Sequence, residues 1–347
     1  MTRDKKTLLI AGVSVRAFAQ SAVAAGYEVI AVDAYGDLDL RAIATVHVVP
    51  APYTAMAAAR LSRALTCDAV AYTSNFENHP AALAVLAEGR TLVGNDASVV
   101  ARVRRPGALL GSPTVRTRAA STGEWLVKPR ASGGGHGIRR WRVGETVPRR
   151  AVLQEFVPGV SGSVLLAGNG TVLGVTRQLI GDPAFGADGF RYCGNILVDD
   201  VVSGLADAIT GLSGVYGIDF IKRPDGVIVP IEINPRYTAA MELVERRDGV
   251  SIAAAHFGGA TTVRVAGDCV GKAIVYARRA LTVGDTRDWL GDASVADIPM
   301  PGTRVARGQP ICTVFARGGD VDACYAGLVA RAERVYAAVE STRAAAA

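Results

Sequence analysis

The sequence predicts a doubly wound α/β domain, then an α+β unit of antiparallel sheets, then a small β-rich C-terminal region. Two textures carry this. Up to about residue 95, short apolar runs alternate with Ala-rich stretches of helical character, the pattern of βαβ units. From about Ser121 the chain changes to short β-rich segments parted by Gly, Pro and Asp. The expected division is 1–95, 96–260 and 261–347, with a lobe around a glycine loop at about 121–158.

In the first unit, strand Thr7 to Ala11, a turn at Gly12, helix Val15 to Ala25 and strand Tyr27 to Asp33 form a βαβ motif. Strands Thr45 to Val49 and Ala69 to Tyr72 then alternate with the Ala-rich segments Ala55 to Leu65 and Ala81 to Ala87. The first turn lacks G-x-G-x-x-G. Val15 and Arg16 stand where a pyrophosphate would need small residues, so NAD binding is not indicated. Further on, strands are expected at Trp125 to Lys128 and Ala151 to Phe156. Hairpins are expected across Gly168-Asn169-Gly170 and Pro224-Asp225-Gly226. A helix is expected over Leu205 to Leu212, a strand over Gly271 to Tyr276, and a last helix from Val321 to Ser341.

Composition narrows the function classes. Half of the residues are apolar, and 38 Lys and Arg against 32 Asp and Glu leave a formal charge of +6. That balance suits anionic partners, but the basic residues read as scattered short pairs rather than a nucleic-acid stripe. The five cysteines lack C-x-x-C spacing, which speaks against a disulfide framework or a zinc site and favours a reducing cytoplasm. The N-terminal apolar run, broken by Arg16, reads as a strand rather than a signal peptide, and no stretch has the length of a membrane span.

The main chemical signal is Asp219 followed by Glu232, Asn234 and Arg236. Residues at i, i+2 and i+4 of a strand share a face, and the turn at Pro224-Asp225-Gly226 folds Asp219 beside them. Three hard oxygen ligands beside a cation suit Mg²⁺ on nucleotide phosphates, with Arg236 placed to neutralise a phosphoryl group or acyl phosphate. The competing reading is the solvated face of a hairpin. The second signal is Lys128, at a strand end, followed by Ser132, Gly133, Gly134 and Gly135. A lysine and successive backbone N–H groups suit a triphosphate, although this is not a Walker A loop and a plain flexible hairpin is the alternative.

These motifs resemble the ATP-grasp superfamily, in particular predicted carboligases related to biotin carboxylase and to the carboxylating purine-synthesis enzymes. The resemblance implies a pre-ATP-grasp α/β domain and an ATP-grasp fold in which two antiparallel sheets sandwich the nucleotide. It further implies that Lys128 contacts phosphate and that Gln154, Glu155 and Val157 frame the base. Asp219, Glu232 and Asn234 would hold Mg²⁺, with Mn²⁺ as an alternative. Arg177 takes the place of a phosphate-binding cation, or is an ordinary surface arginine, and Arg236 that of a residue steadying the intermediate. The chain departs from the pattern where many members have an Asp-Lys pair, leaving Arg102 and Arg104 as candidate substitutes, and where a ribose-binding glutamate is replaced by Ser161-Gly162-Ser163.

Substrate contacts are expected on the carboxyl edge of the first sheet. Glu77 is a candidate for an amine, oriented by Asn75 and Asn78, or else belongs to a helix-capping loop. Arg16 either binds an anion or caps its own helix, and Tyr192 and Asn195 are candidates for the acceptor pocket. The expected activity is ATP-dependent ligation of a carboxylate to an amine through an acyl phosphate, releasing ADP and phosphate. Amino-acid or cofactor biosynthesis is the expected setting, one-carbon carriers included. A bicarbonate-dependent carboxylase and a non-catalytic nucleotide-binding module are the rivals. The implied partners are small-molecule substrates and a second copy in a homodimer, with neither nucleic acid nor membrane.

Overall fold

A computed structural model describes residues 5–118, 122–168, 170–202, 204–205, 210–259, 263 and 267–344, without the side chains of the last four. Asn169 and residues 206–209, half of the helix expected over 205–212, lie outside the described residues, and the described half, 205 and 210–212, is not helical. The first unit runs β1 (Thr7–Ala11), α1 (Arg16–Ala24), β2 (Glu28–Asp33), α2 (Leu38–Arg41), β3 (Thr45–Val48), α3 (Ala55–Ser62), β4 (Ala69–Tyr72), α4 (Pro80–Ala87) and α5 (Ala97–Val103). Its sheet has the order β3-β2-β1-β4, with β1 parallel to both neighbours. Covering helices on both faces explain why β1 is apolar from Leu8 to Ala11. Leu8 and Ile10 face the cluster containing α1, whereas Leu9 and Ala11 face that of α3 and α4.

Strands β5 (Val115–Arg116), β6 (Trp125–Pro129), β7 (Arg139–Arg140) and β8 (Ala151–Glu155) form a small antiparallel sheet. Trp125, Val127, Trp141, Ala151 and Leu153 give it a core of its own. Basic residues, which read as scattered in sequence, are concentrated here: nine of the 38 Lys and Arg lie between 115 and 155, against three Glu. The lobe is therefore strongly positive, and the rest of the chain is formally balanced.

The large sheet comprises β9 (Val160–Ala167), β10 (Val172–Ile180), β11 (Tyr192–Val198), β12 (Val215–Lys222) and β13 (Ile228–Asn234), then α6 (Met241–Asp248) and α7 (Ile252–His256) cover it. The chain continues through β14 (Cys269–Tyr276), β15 (Leu281–Thr282), β16 (Val295–Ala296), β17 (Arg304–Val305), β18 (Pro310–Gly318) and α8 (Val321–Ala344). Eight of these strands make one sheet, ordered β13-β12-β9-β10-β11-β14-β18-β16. Strand β11 joins the two halves by pairing with β14, so the C-terminal strands extend the central sheet. Neither β11 nor β18 is evident from periodicity. Both are buried along most of their length, which removes the alternation that marks a half-exposed strand.

One core ties the first unit to the large sheet, joining Leu8, Ile10 and Phe18 to Leu165, Leu197, Met241 and Val270. His256 sits at this seam, 5 % exposed, accepting a hydrogen bond from Val215 N at its Nδ1 (3.0 Å) and meeting Phe18 edge-on. Burial lowers its pKa to about 4, partly opposed by the Val93 carbonyl. Below its ordinary pKa the unfolded chain takes up a proton that the folded chain refuses, so stability is lost as pH falls from about 6.5 towards 4. The stability advantage of the wild type over His256→Gln, measured by urea unfolding, should shrink by roughly 2–3 kcal/mol between pH 7 and pH 4.5. Taking the difference cancels buried carboxylates such as Glu245, whose raised pKa of about 7 acts in the opposite sense.

Candidate active site

A cavity of about 1280 Å³ opens between the small antiparallel sheet, the large sheet and the carboxyl edge of the parallel sheet. On its large-sheet wall, Asp219 of β12 lies opposite Glu232 of β13 in register. Strand alternation carries Asn234 and Arg236 to the same wall, and all four residues line the cavity. Asp219 accepts hydrogen bonds from Asn234 Nδ2 and Gln178 Nε2, each at 3.0 Å. Arg236 pairs with Glu77 at 2.6 Å and reaches Asn234 Oδ1 at 3.4 Å.

The charges are unevenly matched. Burial pushes the Asp219 carboxyl up to about 6, and the Glu232 charge adds to this. Glu232 is also penalised by burial, yet Arg104 and Lys128 outweigh that and hold it at about 2. Arg104 bonds both Glu232 and Asn78, and Lys128 Nζ stands 3.7 Å from Glu232. Two carboxylates and an amide oxygen on one wall, one carboxylate short of positive charge, fit a hard divalent cation.

Above this wall lies the glycine loop. Gly135 has φ +75°, and a Cβ there would come within 1.8 Å of the Phe190 carbonyl oxygen, so only glycine permits the approach. Tyr192 N donates to Gly134 O at 3.0 Å, and Asn78 Nδ2 to Ser132 O at 3.3 Å. Ser132, Gly133, Gly134 and Gly135 thus face the cavity from a loop anchored to both other units. Gln154, Glu155 and Val157 line it where β8 ends.

Two expectations need correction. Arg177 faces away from the cavity: the alternation of β10 turns Gln178 towards Asp219 and leaves Arg177 exposed, beside Asp182 and Tyr325 in a separate recess. Arg16 neither caps its helix nor offers a free cation. It is 2 % exposed and held by Glu242 and Asp297. Tyr192 and Asn195 line the cavity but bond each other, and Asn195 Nδ2 donates to Thr176 Oγ1 at 2.7 Å. Of the two candidate substitute cations, Arg104 enters the cavity, whereas Arg102 is exposed and bonds the Thr210 carbonyl. Gln178 was missed by motif reading, although its place next to Arg177 on an alternating strand was the available signal.

Four fully buried side-chain atoms of cavity-lining residues have no hydrogen-bond partner among the described residues: Asn75 Oδ1, Glu77 Oε2, Arg236 Nε and Thr238 Oγ1. Nearby, Glu242 binds Arg16 and Lys272, the latter at 2.7 Å, and all three side chains are at most 4 % exposed. Removing one charge from such a group leaves a buried cation short of its partner, which costs about 3–5 kcal/mol. Glu242→Gln should therefore lower the unfolding free energy by about that amount in denaturant titration, whereas Glu340→Gln, in an exposed pair with Arg279, should change it by less than about 1 kcal/mol.

The model of the ATP-grasp domain family matches residues 107–240. Comparison with curated protein sequences gives no match. Among solved structures, the chain is similar to N5-carboxyaminoimidazole synthetase from Staphylococcus aureus in complex with ADP, at 14% identity and TM-score 0.68, covering 94% of this chain and 97% of that one. It is similar to the biotin carboxylase domain of the Hydrogenobacter thermophilus 2-oxoglutarate carboxylase, at 15% identity and TM-score 0.65, covering 90% and 86%. It is likewise similar to an L-amino acid ligase from Bacillus licheniformis, at 14% identity and TM-score 0.65, covering 94% and 97%. At these identities the likeness establishes the fold, an ATP-grasp fold within a larger α/β and antiparallel framework, with the family model matching only residues 107–240.

Proposed function

We propose that the chain is an ADP-forming ligase that uses ATP to join a carboxylate to an amine. The observation carrying this reading is the convergence of Asp219, Glu232 and Asn234 with Lys128 and Arg236 on one cavity. In this reading the base lies against Gln154, Glu155 and Val157, and the phosphates lie beneath Ser132–Gly135 beside Lys128. Asp219, Glu232 and Asn234 would hold a Mg²⁺ ion, which would supply charge neutralisation for phosphoryl transfer.

The chain's own residues position and neutralise. Lys128 and Arg104 place positive charge where phosphate oxygens would gather, and the basic lobe favours approach of a polyanion. Arg236 is placed to face the acid's carboxylate as its oxygen attacks the γ-phosphorus, breaking the bond to ADP and forming an acyl phosphate. The amine then attacks the acyl carbon, phosphate leaves, and the amine gives up a proton. The likeness to a synthetase crystallised with ADP, to a biotin carboxylase domain and to an L-amino acid ligase supports a carboxylate-activating role.

The decisive experiment is an ADP-release screen of carboxylates and amines with Mg²⁺-ATP, followed by product mass. Lys128→Ala and Glu232→Gln should each lower turnover at least about 100-fold; Lys128→Ala should unfold near wild-type denaturant concentrations, whereas Glu232→Gln should lose some stability because Arg104 loses its partner. Arg177→Ala should leave turnover within about twofold, because its side chain lies outside the cavity. Chelation by EDTA should abolish ADP release and added Mg²⁺ restore it. ADP release with bicarbonate and no organic acid would instead indicate a carboxylase, and tight ATP binding without turnover on any pair would indicate a binding module.

A further inference from the structure

Away from the metal-type wall, the cavity reaches the carboxyl ends of β1 and β2, where carboxylates outnumber cations. Asp33, Asp37, Asp39, Asp297 and Glu242 gather around Arg16 and Lys272. Their partners can be assigned one by one. Asp33 accepts from the backbone N–H groups of Val15, Tyr35 and Gly36. Asp39 accepts from those of Asp297 and Ile298, at 2.8 and 3.0 Å. Asp297 takes Arg16 and Thr313, and Glu242 takes Arg16, Lys272 and Arg246.

Asp37 is left over. Its side chain makes no hydrogen bond or ion pair among the described residues, although it is only 6 % exposed and lines the cavity. Nor does it cap α2, which begins directly after it. Burial, then Asp297, Asp33 and Asp39, hold its carboxyl well above the usual range, and Arg16 only partly opposes them. A nearly buried carboxylate without a protein partner and among like charges costs stability unless something positive arrives.

The arrangement selects the kind of cation. The other carboxylates of the cluster are committed to backbone N–H groups or to Arg16 and Lys272, so Asp37 alone is left to offer a free oxygen donor, too few for a metal ion. An organic ammonium needs only one carboxylate, with neighbouring oxygens for its other N–H groups. Tyr35, whose phenol stands near Asp37, also lines the cavity. An acceptor ending in phosphate or carboxylate would meet like charge here.

We infer that Asp37 is a specificity residue binding a cationic group of the amine substrate, which is therefore a diamine or a basic amino acid: one nitrogen reacts and the other stays protonated against Asp37. This rests on the ligase reading for the fate of the reacting nitrogen, but the binding itself can be tested without turnover. L-ornithine and L-lysine, against L-norvaline and L-norleucine, which lack only the side-chain ammonium, should be measured by calorimetry on the full chain with Mg²⁺-ADP present. Each cationic ligand should bind at least about tenfold tighter than its counterpart, and Asp37→Asn should erase that preference. The variant should fold, with an unfolding midpoint at or above that of the wild type, because it removes an unpaired buried charge. Equal binding of the paired ligands to wild type, or an intact preference in Asp37→Asn, would overturn the inference. Failure of ADP release in the screen above, with the binding preference present, would sink the ligase reading alone.

Discussion

The structure depends on a knot of charge kept out of water. Arg16 enters from the first turn of α1, Glu242 from α6, Lys272 from β14 and Asp297 from just beyond β16, and they meet where the parallel sheet rests on the large one. Ions without solvent hold their place only with full partnership, so this knot admits little play between the two units. The apolar seam around Phe18, Tyr237 and His256 adds the non-directional part of the attachment. Tyr72 and Asn95 add direction, both bonding the carbonyl of Pro235 immediately after Asn234.

That rigid attachment gives the cavity its chemistry. Glu77 belongs to the loop after β4 and Arg236 to the segment after β13, and they form an ion pair only because the sheets are fixed together. The small antiparallel sheet is attached differently. Its own core is small, and its glycine loop touches the large sheet through single backbone hydrogen bonds such as Tyr192 N to Gly134 O. A site built this way has a firm floor and wall and a more lightly held cover, an arrangement suited to admitting a large polyanion.

Charge is graded across the cavity. Under the glycine loop lie Lys128 and Arg104, in the middle the acidic pair faces Arg236, and at the first sheet's edge carboxylates prevail. Glu232 and Asp37 show how environment divides like groups. Glu232 is held ionised by two cations, whereas Asp37 is buried beside carboxylates and kept from ionising freely.

The sequence by itself determined the element types wherever one face is dry and the other wet, and wherever a strand runs apolar between Gly-marked turns. It also determined the shared face of Glu232, Asn234 and Arg236, because that follows from a two-residue period and needs no knowledge of neighbours. Strands β11 and β18 escaped, since burial on both faces erases the period. Only the tertiary structure decided which way β10 turns Arg177, that Arg16 is consumed by Glu242 and Asp297, and that Arg104 is the cation reaching Glu232. The physical reason is that a charge's role depends on what stands within a few ångströms of it, and these partners lie 128 to 281 residues apart in the chain.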